Sequence, residues 1–132
     1  MLNRTQQDLL VEKRDGRQVS FNENLIRIAI SKAFCAEQQV EDSASLDQAV
    51  LDRIDQMTLD VLASLTEEAG DRALDVEKIQ DVVERTLMRY EYYSVARRYI
   101  LYREEHARMR KLRAEERLEI DTPFPSVLVN RD

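Results

Sequence analysis

The chain has 132 residues, which is enough for one domain with a sizeable core and too few for two ordinary domains. Two glycines, two prolines and 35% charged residues predict long helices with few tight turns. A single cysteine, Cys35, and a single histidine, His106, exclude an internal disulfide and a Cys/His zinc site. The net charge of −6 disfavours extensive binding to nucleic acid, whereas a small anion needs only a few local cations.

The sequence carries no sign of a membrane segment. No apolar run approaches the roughly 20 residues that a bilayer-spanning helix needs. Residues 1–10 also lack the basic and apolar regions of a signal peptide. These patterns predict a cytoplasmic protein.

A β-hairpin is predicted near the start of the chain, in the stretch VEKRDGRQVSF at residues 11–21. Residues 9–13 alternate as in a strand, and residues 18–21 can return antiparallel to them. Between the two, Asp15-Gly16 suits a turn with positive φ. The hairpin carries three cations, Lys13, Arg14 and Arg17.

Two amphipathic helices follow the hairpin. Asn22 occupies an N-cap position, and apolar residues within 25–34 share one helical face, which predicts a helix to about residue 36. Apolar residues at steps of four and three within 46–65 predict one long helix. Gly70 is the predicted end of that helix.

The second half of the chain predicts a short strand and two further helices. Residues 73–76 are a predicted third strand, and Asp75 would cap a helix that runs through Leu87. A fourth helix is predicted from Ser94, with an apolar face that continues to Met109. From residue 103 to 119, six basic and five acidic side chains predict a solvated helical extension.

The end of the chain combines a helix break with a similarity to its start. The segment TPFP at 122–125 ends the helix, because proline does not fit a helix interior. The last seven residues, SVLVNRD, resemble the early LLVEKRD at a distance of one domain length. We therefore expect a second copy of the domain to begin there, with a chance match as the alternative.

The hairpin and the start of the first helix together predict an anion site. Lys13 and Arg14 supply formal charge, and the free N–H groups and positive dipole end of the helix add to it. The alternative is an ordinary solvated hairpin followed by a well-capped helix.

Two separated segments resemble one family. VEKRDGRQVSFNENLIRIAISKAF at 11–34 looks like the opening of the ATP-cone, the nucleotide-sensing domain at the N-terminus of many ribonucleotide reductase large subunits. VEKIQDVVERTLMRYEYYSVARRYILYRE at 76–104 is similar to the second signature of that family. The two segments stand in the family's order and cover most of residues 9–105, so the resemblance is specific.

The resemblance implies a mainly α fold, a four-helix bundle capped by a small three-stranded β-sheet, with ATP or dATP and Mg²⁺ held between sheet and helices. Strand residues would follow the adenosine and phosphates, Ile26 would line the base pocket, and Gln80 would face the adenine edge, to which an amide can both donate and accept. The implied nucleotide-binding residues are Val11, Glu12, Lys13, Arg14, Asn22, Ile26, Gln80 and Arg103.

One position departs from the family pattern. The family usually has Lys or Arg just before the isoleucine of the first helix, where it meets phosphate, but this chain has Leu25. Either Arg27, Arg17 or Lys32 compensates, or the domain binds more weakly or in another pose.

Three tyrosines, Tyr90, Tyr92 and Tyr93, mark the passage from the third helix to the fourth. They are interpreted as the edge of the core, with a self-association surface or a second nucleotide site as the alternative. His106 and Cys35 lack partners for nucleophilic or acid-base chemistry and are interpreted as structural.

These patterns divide the chain into an N-terminal tail at 1–8, an ATP-cone-like domain at 9–105 and a charged helical extension at 106–121. Residues 122–132 would be a linker with the start of a second copy.

By resemblance, the chain is a regulatory and not a catalytic part of a ribonucleoside-diphosphate reductase, with the large subunit as the expected parent. ATP would permit activity, and dATP would stop it by changing the oligomeric state. The expected partners are adenine nucleotides, the rest of the large subunit, the small radical-bearing subunit and further copies, but neither nucleic acid nor membrane. The alternatives are an ATP-cone of a transcriptional repressor, an ATP-cone of the small subunit and a helical interaction module without a ligand.

Overall fold

The computed structural model describes the backbone of residues 9–120 and the side chains of residues 9–115. Most of this part is helical: α1 Asn24–Gln38, α2 Gln48–Ala69, α3 Val76–Arg89 and α4 Tyr93–Ile120. The three strands are β1 Leu10–Glu12, β2 Gln18–Ser20 and β3 Leu74–Asp75, and a 3₁₀ turn, Ser43–Ser45, lies between α1 and α2. The predicted mainly α fold with four helices and a small three-stranded sheet is confirmed.

The chain divides into a first compact unit that ends at Tyr99 and a second that begins at Ile100. The first unit contains the sheet, α1 to α3 and the start of α4. None of the described helices combines the length and the apolar character that crossing a bilayer requires. The predicted tail at 1–8 and the predicted helix break and second copy at 122–132 lie outside the described residues.

The sheet is built around β1, which pairs antiparallel with β2 and parallel with β3. Val11 on β1 is the register partner of both Val19 and Leu74, so apolar residues meet at the centre of the sheet. Strand β3 is two residues shorter than predicted because Asp75 already caps α3, its carboxylate accepting a hydrogen bond from the Lys78 N–H at 2.8 Å. That cap is the predicted one, and it fixes where the sheet passes into α3.

The core of the first unit lies where α2 packs against both α1 and α3. The apolar positions predicted for the long helix are buried except Val50, which is half-buried, and α1 and α3 bury their own apolar faces against them. Burying one such aliphatic side chain contributes roughly 1.5–3 kcal/mol, so this packing is the main source of stability. The largest fully buried apolar residues are Ile30, Ile54, Met57, Val61, Leu65, Val82, Val83 and Leu87.

The observed helix ends agree with the predicted ones to within about two residues. Helix α1 is preceded by Glu23, which makes no side-chain cap, whereas the predicted cap Asn22 accepts a hydrogen bond from the Asn24 N–H at 3.0 Å. Gly70 ends α2 as predicted, with a φ of 58° that suits a residue without Cβ. Helix α4 begins at Tyr93, one residue before the predicted start.

The predicted apolar face of the fourth helix extends less far than its sequence indicated. Val95 and Tyr99 are buried in the first unit. Met109, in the second unit, is 40% exposed, so its assignment to that face is wrong. Charged residues flank Met109 on both sides. The solvated helical extension at 106–121 stays a prediction.

We expect Thr86→Val to raise the free energy of unfolding by about 1 kcal/mol, because the buried Thr86 hydroxyl has no hydrogen-bond partner among the described residues. Thr58→Val is the matched control: Thr58 is equally buried, but its hydroxyl donates to the Ile54 carbonyl at 2.8 Å. Removing that bond should lower stability by about 0.5–1.5 kcal/mol. Urea unfolding of both variants measures the difference, and a Thr86→Val variant as destabilised as Thr58→Val would contradict the assignment.

Candidate functional site

The turn of the hairpin is closed by its own backbone and by one carboxylate. The Lys13 N–H donates to the Arg17 carbonyl at 2.7 Å, and the Gly16 N–H donates to the Lys13 carbonyl at 2.9 Å. Gly16 has a φ of 94°, a conformation that favours glycine. Asp15 accepts one hydrogen bond from the backbone N–H of Arg17 and one from its side chain. The backbone bond, followed by the side-chain bond, lowers the pKa of the Asp15 carboxyl. Arg17 is therefore held by the turn itself.

Of the other two hairpin cations, Arg14 connects the hairpin to α3. Lys13 and Arg14 are both exposed at the end of β1. Arg14 forms an ion pair with Glu77 in the first turn of α3, with 3.3 Å between Nη1 and Oε2. This contact joins residues 63 positions apart and places the hairpin turn beside the N-terminal end of α3.

The sheet adds a second connection between the same two regions. Glu12, next to Lys13, is the register partner of Asp75, the cap of α3. Both side chains are exposed, and Val11 is half-buried between its neighbours in the sheet. The predicted strand residues Val11, Glu12 and Lys13 thus run along the edge of the region where α3 begins.

Gln80 lies on α3 one turn beyond Glu77 and is half-buried. Residues three apart on a helix share a face, so Gln80 and the Arg14 to Glu77 ion pair are neighbours on the surface of α3. The structure therefore brings Arg14, one of the predicted phosphate cations, near the predicted adenine contact, on two elements that are distant in sequence.

The start of α1 presents its predicted residues in different ways. Asn22 is exposed, with its side-chain oxygen occupied by the Asn24 N–H. Ile26 is only 3% exposed and belongs to the core, so a role in lining a base pocket stays a prediction. Leu25 is 59% exposed, which leaves an apolar side chain in solvent at the position where the family has a cation.

The three cations that were expected to compensate for Leu25 have different surroundings in the structure. Arg17 is bound by Asp15, as described above. Arg27 donates to Asp55 on α2 at 2.9 Å and to Asn24 at 3.0 Å. Lys32 is exposed on α1, seven residues and about two turns beyond Leu25. Two of the three candidates, Arg17 and Arg27, are thus already paired with carboxylates.

Arg103 and the tyrosine cluster complete the predicted residues. Arg103 is half-buried on α4 in the second unit, and its contact with phosphate stays a prediction. Tyr90 donates to the carboxylate of Asp60, a bond that raises the pKa of Tyr90, and Tyr92 packs edge-on against Phe34 at 5.0 Å. Both rings serve the core edge, as predicted, whereas Tyr93 is exposed.

Sequence reasoning missed a recess of about 420 Å³ where α2 ends and α3 begins. Its lining includes four carboxylates and two cations: Glu68, Asp75, Glu77, Asp81, Arg72 and Lys78. Glu68 bonds Lys78 at 3.0 Å and Arg85 at 2.7 Å, and the Lys78 bond is the main cause of its lowered pKa. Among the described residues, no three His, Cys, Asp or Glu side chains are grouped as a metal ion requires. The acidic lining makes this recess a poor phosphate site.

Comparisons with known proteins extend this picture. Residues 9–108 match the model of a family described as the ATP cone domain. Proteins named ribonucleoside-diphosphate reductase subunit alpha are similar as well. That of Chlamydia trachomatis is 41% identical over 112 residues, or 83% of this chain. That of Chlamydia pneumoniae is 39% identical over 102 residues, or 77%, and that of Chlamydia muridarum is 36% identical over 119 residues, or 89%. The chain spans about a tenth of the length of these relatives, 10% to 11%.

Proposed function

The chain belongs to the ATP-cone domain family, and we propose that it is the adenine-nucleotide-binding regulatory domain of a ribonucleoside-diphosphate reductase. The observation that carries the proposal is the ion pair of Arg14 with Glu77, which sets the cationic hairpin beside the face of α3 that bears Gln80. Both segments lie within the part of the chain that matches the family. The names of the three relatives support a reductase parent over a transcriptional repressor.

In the proposed complex, the hairpin closes over the nucleotide. Lys13 and Arg14 attract the phosphates, and Mg²⁺ accompanies them on the nucleotide. The Gln80 amide donates to and accepts from the adenine edge. Val11, Glu12, Asn22 and Ile26 complete the pocket from β1 and the start of α1. A phosphate contact of Arg103, which lies in the second unit, stays a prediction.

We propose that the domain controls activity by changing how subunits associate. ATP permits the reaction and dATP stops it, and the physical content is a coupling free energy between nucleotide binding and association of typically about 1–3 kcal/mol. The reaction itself takes place elsewhere in a cytoplasmic large subunit, which acts with a small radical-bearing subunit. Self-association of the large subunit is the expected second state.

Glu77→Gln should strengthen ATP binding by up to about fivefold, because it releases Arg14 from an exposed ion pair that is worth roughly 0.2–1 kcal/mol. The change also removes a negative charge from beside the phosphates. Glu41→Gln, which removes an equal charge in the exposed link between α1 and α2, is the control and should bind ATP like the parent. Fluorescence titration with an adenine nucleotide analogue gives both affinities, and equal affinities for the two variants would place Arg14 outside the phosphate contact.

Thermal melting with a panel of nucleotides tests the proposed function. A ligand that binds only the folded state stabilises it by RT ln(1 + [L]/Kd), which is about 2.7 kcal/mol at a hundredfold excess over Kd. We expect ATP and dATP with Mg²⁺ to raise the melting temperature, and CTP, UTP and TTP to raise it much less. A melting temperature that no nucleotide changes would support the helical interaction module instead, and equal shifts with all five would contradict adenine recognition.

A further inference from the structure

An exposed stripe of mixed character runs along α4 in the second unit. Leu101 is 53% exposed and Leu112 is 45% exposed, although both are large apolar residues. Glu105 and Arg108 lie between them and are exposed too. The steps of four, three and four residues place all four side chains on one narrow strip of the helix, which we call the α4 stripe.

The opposite side of the same helix is less accessible. Four half-buried residues recur there at steps of three and four. They are Arg103, His106, Arg110 and Arg113. The α4 stripe therefore lies within the exposed side of this helix segment, beside further exposed residues such as Glu104 and Lys111.

The order of residues along the stripe is complementary to its own reverse. Read forwards it is Leu, Glu, Arg, Leu, and read backwards it is Leu, Arg, Glu, Leu. We propose that the α4 stripe pairs with the α4 stripe of a second copy of this chain, with the two helices antiparallel. In that arrangement Leu101 of each copy contacts Leu112 of the other, and Glu105 of each copy contacts Arg108 of the other. Two-fold symmetry makes each contact occur twice.

Charge selects the antiparallel direction over the parallel one. Parallel helices in register would place Glu105 against Glu105 and Arg108 against Arg108, which is unfavourable. Within one chain, Arg108 already bonds Glu105, with 2.6 Å between Nη2 and Oε1. The pair is thus held on the stripe side by side, and a second copy would complete a network of four alternating charges.

The stripe is short, so the association is weak for the isolated chain. Its proposed role, as one surface through which subunit association is controlled, rests on the proposed function. The pairing itself involves residues 101–112 alone, so all tests below omit nucleotide and are independent of whether ATP binds.

Disulfide trapping tests the direction of the pairing. In a Cys35→Ser background, Leu101→Cys and Leu112→Cys are purified as separate chains, one with a larger tag, and oxidised singly and as a mixture. Because a disulfide needs Cα atoms within about 7 Å, the mixed dimer should form at least tenfold faster than either homodimer. Homodimers that form as fast as the mixed dimer would overturn the antiparallel pairing.

Charge reversal with sedimentation analysis tests the pairing without cysteines. Glu105→Arg and Arg108→Glu should each weaken association of the whole chain by roughly tenfold, because each places like charges opposite one another twice per dimer. The double variant restores opposite charges and should associate like the parent. Glu41→Arg, with the same charge change far from α4 in sequence, is the control. A parent chain that stays monomeric up to millimolar concentration, or a double variant that associates no better than the single ones, would overturn the proposal.

Discussion

Lys13→Ala should weaken ATP binding by at least about tenfold, because a hydrogen bond to a charged group contributes roughly 1.5–3 kcal/mol. The fold should stay intact, since Lys13 is exposed and closes the turn through its backbone N–H and carbonyl, both of which alanine keeps. Lys111→Ala is the matched control, because it removes an equal charge from an exposed lysine on the α4 extension. Titration of ATP at two salt concentrations, with circular dichroism to confirm the fold, measures the effect.

The salt dependence identifies the cause of the loss. If Lys13 contacts phosphate, the difference between Lys13→Ala and the parent should shrink as salt screens the charge. The Lys111→Ala control should match the parent at both salt concentrations. A Lys13→Ala variant that binds ATP like the parent would make the hairpin a structural lid and would move the phosphate site elsewhere.

Leu25→Lys should strengthen ATP binding by up to roughly tenfold, because it returns a cation to a position where the family meets phosphate and adds one charge-assisted contact. The substitution should not destabilise the fold, since Leu25 is 59% exposed and contributes little to the core. Arg17 and Arg27 should not already supply this contact, because they are paired with Asp15 and Asp55.

The control for Leu25→Lys is Leu59→Lys. Leu59 is likewise an exposed leucine in a helix, so the variant adds the same charge and removes the same kind of side chain. Calorimetric titration of both variants with ATP separates a local contact from a general effect of net charge. Equal affinities for Leu25→Lys, Leu59→Lys and the parent would show that residue 25 does not face the phosphates.

Local chemistry made much of the fold predictable. The Asp15-Gly16 turn needs a positive φ that glycine provides, and the spacing of apolar residues in α2 corresponds to the face that is buried. Asp75 caps α3 by accepting from the N–H of Lys78, only three residues away, so this role was predictable from the local sequence. Met109 was assigned wrongly because apolar spacing alone does not distinguish a buried position from an exposed one on a highly charged helix.

The candidate site was predictable as a set of residues but not as an arrangement. The pairing of Arg14 with Glu77 and the parallel register of β1 with β3 join segments more than 60 positions apart, which no local pattern contains. The engagement of Arg27 by Asp55 depends in the same way on how α1 packs against α2. These long-range contacts set which carboxylate Arg14 and Arg27 each face in the structure.

Isothermal titration calorimetry of ATP into this chain, with Mg²⁺ present, measures directly whether the domain binds adenine nucleotides. We expect saturable heat with ATP and with dATP, and a dissociation constant that agrees with the melting shift through RT ln(1 + [L]/Kd). An absence of heat at millimolar ATP, from a chain whose helical circular dichroism is intact, would contradict nucleotide binding.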